Sequence, residues 1–123
     1  MSFEQHAQNA QVAMQQGNQS AAEQQLKQGI QMAEQQLGAN CNKDDRVAAI
    51  YNNLGRCLQN QGRYADAEEA YKKALEVRQA ALGPLHATEG IILENYARCL
   101  RAANKPQEAA KIDQRLLGLM NRK

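Results

Sequence analysis

The chain has 123 residues, of which 43% are hydrophobic and 23% charged, and its formal net charge is +2. These values are ordinary for one folded domain, and so small a net charge does not indicate nucleic acid as a partner, since nucleic-acid binders concentrate basic charge on their surface. No apolar run approaches the ~18 residues that a membrane-spanning helix needs. The first residues have neither the basic nor the apolar region of a secretory signal. We therefore expect neither nucleic acid nor a membrane as a partner.

Glycine and proline are scarce, at 8 and 2 residues, so the chain lacks the closely spaced turn residues of an all-β sandwich. Its abundant residues are Ala, Gln, Glu, Lys, Leu and Arg, which are strong helix formers because they lose little rotamer freedom in a helix. Composition predicts an all-α fold.

Three cysteines, Cys41, Cys57 and Cys99, cannot all pair within one chain, and none belongs to a Cys-x-x-Cys motif. This pattern favours a reducing compartment over a disulfide framework or a zinc site. We expect a cytoplasmic protein with no metal or cofactor. Cys57 and Cys99 are predicted to be buried and inert, and Cys41, in a loop, to be more exposed.

The sequence has no recognisable catalytic motif. Its two histidines, His6 and His86, are far apart, and neither has a cysteine or an acid beside it in a recognised pattern. No phosphate-binding loop or nucleophile motif is present. We expect no enzymatic activity, and we expect His86 to cap or pack a loop.

The sequence repeats itself along its length. A shift of 42 residues places Leu54–Leu58 on Tyr96–Leu100, and a shift of 45 places Leu37-Gly38 on Leu82-Gly83. Such a period in a helix-forming sequence is typical of a solenoid. We predict one domain, 1–123, made of three repeats at about 2–38, 45–82 and 87–120.

Each repeat is predicted to be two helices joined by a short turn. In the first repeat the turn is Gly17-Asn18, and periodic apolar residues from Val12 to Leu37 predict a polar, weakly packed helix pair that caps the array. In the third repeat Asn104-Lys105-Pro106 forms the turn, with Pro106 suited to the first helical position.

The second repeat has the clearest helix boundaries. Asp44 or Asp45 is predicted to cap a first helix that ends near Asn60. Gly62 then allows the left-handed backbone of a tight turn, and the second helix is predicted over 64–81, ended by Leu82-Gly83-Pro84.

Small residues mark the points where the two helices of a repeat approach closely, at Gly55 and Ala67 and again at Ala97 and Ala109. Larger side chains at helical spacing are predicted to fill the core around them. These are Tyr51, Leu54, Leu58, Tyr64, Tyr71 and Ala74.

Residues 51–76, YNNLGRCLQNQGRYADAEEAYKKALE, resemble a tetratricopeptide repeat (TPR): an aromatic residue, Leu-Gly, then Tyr, Ala, an aromatic residue and Ala-Leu. The extended second helices, the 42-residue spacing, the segment LGPLH at 82–86 and the Asn-Asn-Leu at 52–54 resemble the kinesin light chain subtype. The resemblance covers nearly the whole chain and is weakest in the first repeat, where Asn9-Ala10 replaces Leu-Gly.

This resemblance implies a right-handed α-solenoid of three helix-turn-helix repeats with six helices. It also implies a concave groove that binds an extended peptide or a partner protein. The curvature of stacked repeats leads to the same expectation.

The groove is expected along the first helix of each repeat, on the face turned away from the second helix. Spacings of three and four keep residues on one stripe of a helix. The stripes contain Glu4, Gln8, Gln11 and Gln15; Ala49, Asn53, Arg56 and Asn60, with Asn52 and Gln59 at the edge; and Ile91, Asn95, Arg98 and Ala102, with Glu94 and Arg101 alongside.

Asn53 and Asn95 occupy the same position in two repeats. A carboxamide both donates and accepts hydrogen bonds, so it can bind the main chain of a ligand whatever the ligand's side chains are, and the resembled family commonly uses an Asn at this point. The alternative is a polar residue tolerated on a solvated face.

Arg56 and Arg98 also repeat, and Arg101 follows one turn later. Guanidinium groups gathered in one groove favour an acidic ligand through forked hydrogen bonds. The alternative is that these arginines are merely solvated, and Glu4 and Glu94 reduce the positive charge nearby.

The last helix carries more apolar surface than one neighbouring helix can cover, which predicts self-association through the C-terminal helix, unless its last turn frays. The apolar residues are Ile112, Leu116, Leu117, Leu119 and Met120.

The main functional hypothesis is a protein-interaction module that binds a peptide or partner protein in the groove, with an acidic ligand as the narrower form of that hypothesis. The predicted binding residues are Asn52, Asn53, Arg56, Asn60, Asn95, Arg98 and Arg101. The competing hypothesis is a self-assembling scaffold whose terminal helices associate. A third is an excised or accessory piece of a larger signalling or secretion-chaperone system.

Overall fold

The structure is a computed structural model that describes residues 2–83 and 89–121. Within these ranges six α-helices follow one another, and a short 3-10 helix, Gly38–Lys43, separates the second from the third. The α-helices are α1 (Phe3–Gln15), α2 (Gln19–Leu37), α3 (Asp45–Asn60), α4 (Tyr64–Leu82), α5 (Glu89–Ala102) and α6 (Pro106–Met120). The predicted all-α solenoid of six helices is confirmed. Three predictions lie outside the described residues. They concern the start of the third repeat near 87, Pro84 in the predicted helix end Leu82-Gly83-Pro84, and His86 in the following loop.

Polar caps and turn residues set the helix boundaries. The Asp44 side chain accepts a hydrogen bond from the Arg46 amide at 2.9 Å, so of the two predicted caps Asp44 is the one used. The turns inside the repeats place Gly17, Gly62 and Asn104 at φ of 80°, 76° and 63°. These three positions match under the repeat shifts, which shows that the same turn is built three times.

The contacts between helices determine how the array curves. Each helix packs on the next one in the chain, and α1 also contacts α3, which contacts α5. In the described ranges the second helices α2, α4 and α6 do not contact one another. An array whose first helices are closer together than its second helices curves toward the first helices. The inner side is therefore formed by α1, α3 and α5.

The centre of the array is a contact between Gly55 of α3 and Tyr71 of α4. A Cβ atom on Gly55 would lie 2.6 Å from Tyr71 Cε1, so only glycine fits. Tyr71 is fully buried, and its ring stacks on Tyr96 of the next repeat with centroids 6.0 Å apart. Its hydroxyl donates to Gln59 Oε1 at 2.9 Å. One ring thus closes its own repeat and holds the following repeat.

Ion pairs join neighbouring repeats at equivalent places. Glu23, early in α2, accepts from Arg63 at 2.7 Å, and Glu68, early in α4, accepts from Lys105 at 3.0 Å. Each basic residue stands directly before the second helix of the following repeat. Both junctions therefore use the same charge pairing.

Buried thiols mark the same two junctions. Cys57 Sγ donates to the backbone oxygen of Gln19 at 3.0 Å, and Cys99 Sγ donates to that of Tyr64 at 3.7 Å. Their predicted burial is confirmed. The prediction of an exposed Cys41 is wrong, because the 3-10 helix packs against α2, α3 and α4 and turns this thiol inward.

The C-terminal helix is better covered than predicted. Leu119 is buried, and Ile112 and Leu116 pack against the core, because α6 lies along α5. Leu119 is therefore removed from the predicted self-association surface. Leu117 and Met120 remain exposed, at 57% and 69%.

Replacing Gly55 with alanine tests the central contact. Overpacking against Tyr71 should lower the free energy of unfolding of Gly55→Ala by about 1–3 kcal/mol, measured by urea unfolding followed by circular dichroism. Gly118, inside α6, has nothing within 4 Å of a Cβ atom, so Gly118→Ala is the matched control and should gain about 0.5–1 kcal/mol. A Gly55→Ala protein as stable as the unmodified chain would contradict this packing.

The ion pairs of Glu23 with Lys27 of its own helix and with Arg63 of the next repeat supply a pH-dependent test. Hydrogen bonds from Lys27, and then from Gln61 and Arg63, hold the pKa of Glu23 at about 2, below its ordinary 4.5. Because the folded pKa is the lower one, ionised Glu23 stabilises the fold above pH 4.5, and this contribution is lost as the pH falls from 4.5 towards 2.

The difference in free energy of unfolding between the unmodified chain and Glu23→Gln should stay constant above pH 4.5 and shrink towards pH 2. Glu76 is an exposed carboxylate on α4 without an ion pair among the described residues, so Glu76→Gln is the control for the loss of one negative charge and should change the free energy of unfolding by less than about 0.5 kcal/mol. A Glu23→Gln difference that is the same at both ends of this range would refute the assignment.

Candidate binding groove

The inner faces of α3 and α5 carry matched residues in three layers. The layers are Ala49 and Ile91, Asn53 and Asn95, and Arg56 and Arg98. The alanine, the isoleucine and both arginines are exposed, and the two asparagines are half-buried. The structure therefore brings the two predicted Asn–Arg pairs onto one surface.

Within α3 and within α5, the arginine donates a hydrogen bond to the asparagine one turn earlier. Arg56 Nη1 donates to Asn53 Oδ1 at 3.4 Å, and Arg98 Nη1 donates to Asn95 Oδ1 at 3.5 Å. These hydrogen bonds are long, since such contacts are usually near 2.9–3.0 Å. They orient the guanidinium groups and leave their charge uncompensated.

Arg56 and Arg98 differ from the other arginines in their partners. In residues 2–83 and 89–121, neither has a carboxylate within ion-pair distance, whereas every other arginine has one at 3.1 Å or less. The paired arginines are Arg46, Arg63, Arg78, Arg101 and Arg115. The inner surface thus holds the arginine charge that the described part of the chain leaves unmatched.

Arg56 and Arg98 both influence the pKa of the buried Tyr71 hydroxyl. Burial raises the pKa of Tyr71 above its ordinary value of 10, helped by Cys99, while the positive charges of Arg56 and Arg98 oppose the rise. Two guanidinium groups that influence one side chain lie on either side of one junction. Both arginines therefore lie close to the junction between the second and third repeats.

The two repeated asparagines are not equivalent. Asn95 Nδ2 donates to Asn52 Oδ1 at 3.2 Å, across the junction between α3 and α5. Asn52 is buried. Asn52 therefore joins two repeats from below the groove surface, contrary to the prediction that it contributes to binding. Among the described residues Asn53 forms no such bond across the junction.

Two further predicted residues lie away from the arginine layer. Arg101 Nη1 binds Asp113 Oδ2 at 2.9 Å, so it faces α6 and does not extend the groove. Asn60 Nδ2 donates to Gln19 Oε1 at 3.4 Å and lies beside the first junction. The structure thus separates Arg101 from the predicted set.

The first repeat adds a mainly uncharged surface. Gln8, Gln11 and Gln15 are exposed along α1, and the carboxylate of Glu4 binds Arg46 Nη1 at 2.8 Å. Because Arg46 compensates Glu4, this acidic residue does not cancel the charge of the inner surface. The reduction of positive charge that was predicted from Glu4 is therefore small. Glu94 is the exposed acid that remains on the α5 side.

Sequence reasoning missed the junction residues Glu23, Arg63, Glu68 and Lys105. The repeat shifts contain the necessary signal, because 45 residues separate the two acids and 42 separate the two bases. Those residues join the start of α2 to the turn before α4 and the start of α4 to the turn before α6, and so they link successive repeats.

Comparison with protein families settles the classification. A family model described as tetratricopeptide repeat matches residues 46–122. The chain belongs to the tetratricopeptide repeat family. A search of curated proteins finds no significant match. Within the described ranges of this TPR protein, no helix is long and apolar enough to cross a bilayer.

A solved structure has the same TPR fold. The crystal structure of BtubC (BKLC) from P. vanneervenii superposes with a TM-score of 0.82 and 20% sequence identity, over 94% of this chain. This chain spans 45% of the length of that protein. At this identity the likeness shows the fold alone.

The Asn52–Asn95 bond generates a stability prediction that separates two adjacent asparagines. Asn52→Ala should lower the free energy of unfolding by about 0.5–1.5 kcal/mol, because it removes a hydrogen bond between repeats. Asn53→Ala, the neighbouring control, should change it by less than about 0.5 kcal/mol. Chemical denaturation measures both, and equal losses in the two variants would disprove the distinction.

Proposed function

We propose that this TPR protein is a non-catalytic interaction module that binds an extended, acidic segment of a partner protein on the inner face of α3 and α5. The observation that carries the proposal is the pair Arg56 and Arg98, the arginines without a carboxylate partner in the described part of the chain. The other arginines of residues 2–83 and 89–121 are paired with carboxylates of the chain, so these two are available to a ligand.

The layers suggest how such a segment is held. Each guanidinium group binds a carboxylate of the ligand through a forked pair of hydrogen bonds, which are stronger than neutral ones. Asn53 binds the ligand main chain through its free amide donor. The exposed Ile91, one turn before Asn95, offers an apolar contact on the same stripe. The ligand is therefore expected to combine acidic residues with an apolar one.

The kinesin light chain subtype and a cytoplasmic location belong to the same proposal. The second helices α2 and α4 are long, with 19 residues each, and the second and third repeats are 42 residues apart. All three cysteines are unpaired, as is usual in a reducing compartment.

The test is selection of random displayed peptides on the purified chain, followed by titration of synthetic peptides in fluorescence anisotropy. Acidic peptides should be enriched, and their affinity should fall with added salt because exposed charges are screened. Arg56→Gln and Arg98→Gln should each weaken binding about 10–100-fold, which corresponds to the loss of a charged hydrogen bond of about 1.5–3 kcal/mol.

Lys111 provides the matched control for this experiment. It is an exposed cation on α6 with no ion pair among the described residues, so Lys111→Gln removes the same charge outside the groove and should leave affinity unchanged. Enrichment of basic peptides would overturn the proposal, as would unchanged affinity for acidic peptides in the Arg56→Gln, Arg98→Gln double variant.

A further inference from the structure

At the outer end of the third repeat, one apolar position is exposed that is buried at the two internal junctions. Ile30, Leu75 and Leu117 occupy equivalent places in α2, α4 and α6. Ile30 and Leu75, at junctions covered by the next repeat, are 9% and 6% exposed, whereas Leu117 is 57% exposed. Met120, three residues later, is 69% exposed. Within the described ranges this outer face of the third repeat is therefore a junction surface that no further repeat covers.

Other positions on this end differ from those at the internal junctions. The residues equivalent to Tyr71 and Gln59 are Asp113 and Arg101, and the neutral hydrogen bond of the first pair is replaced by an ion pair at 2.9 Å. The position of Glu68, whose carboxylate binds the next repeat, is occupied by Ala110. A fourth repeat of the same kind would have no ring like that of Tyr71 to stack on and no carboxylate like that of Glu68 to bind its cation.

The first repeat is equally unsuited to continue the array. Asn18 stands where Arg63 and Lys105 supply the junction cation, and Val12 stands at the position of the junction thiols. Val12 is 52% exposed. If the first repeat of one copy were stacked on the third repeat of another, Asn18 would face Ala110, and no ion pair would form. Head-to-tail stacking therefore lacks the contacts that hold both internal junctions.

The end surface is instead complementary to itself. Asp113, Leu117 and Met120 lie at spacings of four and three on one stripe of α6, and Arg101 binds Asp113 at the edge of that stripe. A two-fold axis through such a surface brings each arginine to the aspartate of the other copy and each leucine to the apolar stripe opposite, as an isologous interface requires.

We propose that the occupant of this surface is a second copy of the chain, bound end to end through Arg101, Asp113, Leu117 and Met120. In the isolated chain the Arg101–Asp113 pair is about half exposed on both sides, where an ion pair contributes little. In the dimer the same four charged groups form two pairs across the axis beside the buried Leu117. The proposal is independent of the peptide groove, because Arg56 and Arg98 lie on the inner face.

Charge reversal tests the two-fold arrangement directly. Arg101→Asp gives a chain with two acids at the axis, and Asp113→Arg gives a chain with two bases. Each variant alone should sediment as a monomer of about 13.7 kDa, because like charges meet across the axis. An equimolar mixture should form a dimer, since both cross-axis pairs are then of opposite sign. A mixture that stays monomeric, while the unmodified chain is dimeric, would overturn the arrangement.

Loss of the apolar contact provides the second test. Leu117→Glu should raise the dissociation constant of the dimer at least ~10-fold, measured by sedimentation equilibrium over a concentration series. Val12→Glu, at an exposed apolar residue of the opposite end, is the matched control and should not change it. Circular dichroism is used to check that both variants remain helical. A monomeric unmodified chain throughout the series, or equal effects of the two substitutions, would refute the proposal.

Discussion

The fold depends on the close approach of Gly55 and Tyr71. A side chain at residue 55 would overlap the tyrosine ring, so glycine lets α3 and α4 pack tightly enough for Tyr71 to be fully enclosed. The enclosed ring then stacks on Tyr96 and carries the packing into the third repeat. Packing within a repeat and packing between repeats therefore rest on the same ring, which is why the orientation of α5, and with it the position of Arg98, follows from a glycine in α3.

Electrostatic compensation separates the parts of the molecule that maintain the array from the part that is proposed to bind. The junction cations Arg63 and Lys105 are matched to carboxylates of the preceding repeat. These charges hold successive repeats together and are not free for a ligand. Among residues 2–83 and 89–121, the hydrogen bonds of Arg56 and Arg98 are long ones to asparagines, so a ligand carboxylate can bind these arginines without breaking an ion pair of that part of the chain.

Much of the candidate site could be predicted because helical spacing places residues on faces. The inward position of Arg56 and Arg98 follows from their place in the repeat, and so does the burial of Cys57 and Cys99. The errors have one cause, which is that periodicity specifies a face and not its partners. It could not show that Asn52 lies beneath the groove and bonds to Asn95, that Arg101 turns to α6, or that the 3-10 helix folds Cys41 inward.

By itself the sequence determined that the chain is all-α, that one helical hairpin occurs three times, and where the turn of each hairpin lies. It could do so because helix propensity, caps and turn residues act over a few neighbouring positions. Only the tertiary structure decided which charges are compensated and which remain open, and which apolar residues of α6 are covered. Those outcomes depend on side chains such as Glu23 and Arg63, or Arg101 and Asp113, that are distant or on different helices and meet only once the helices have packed.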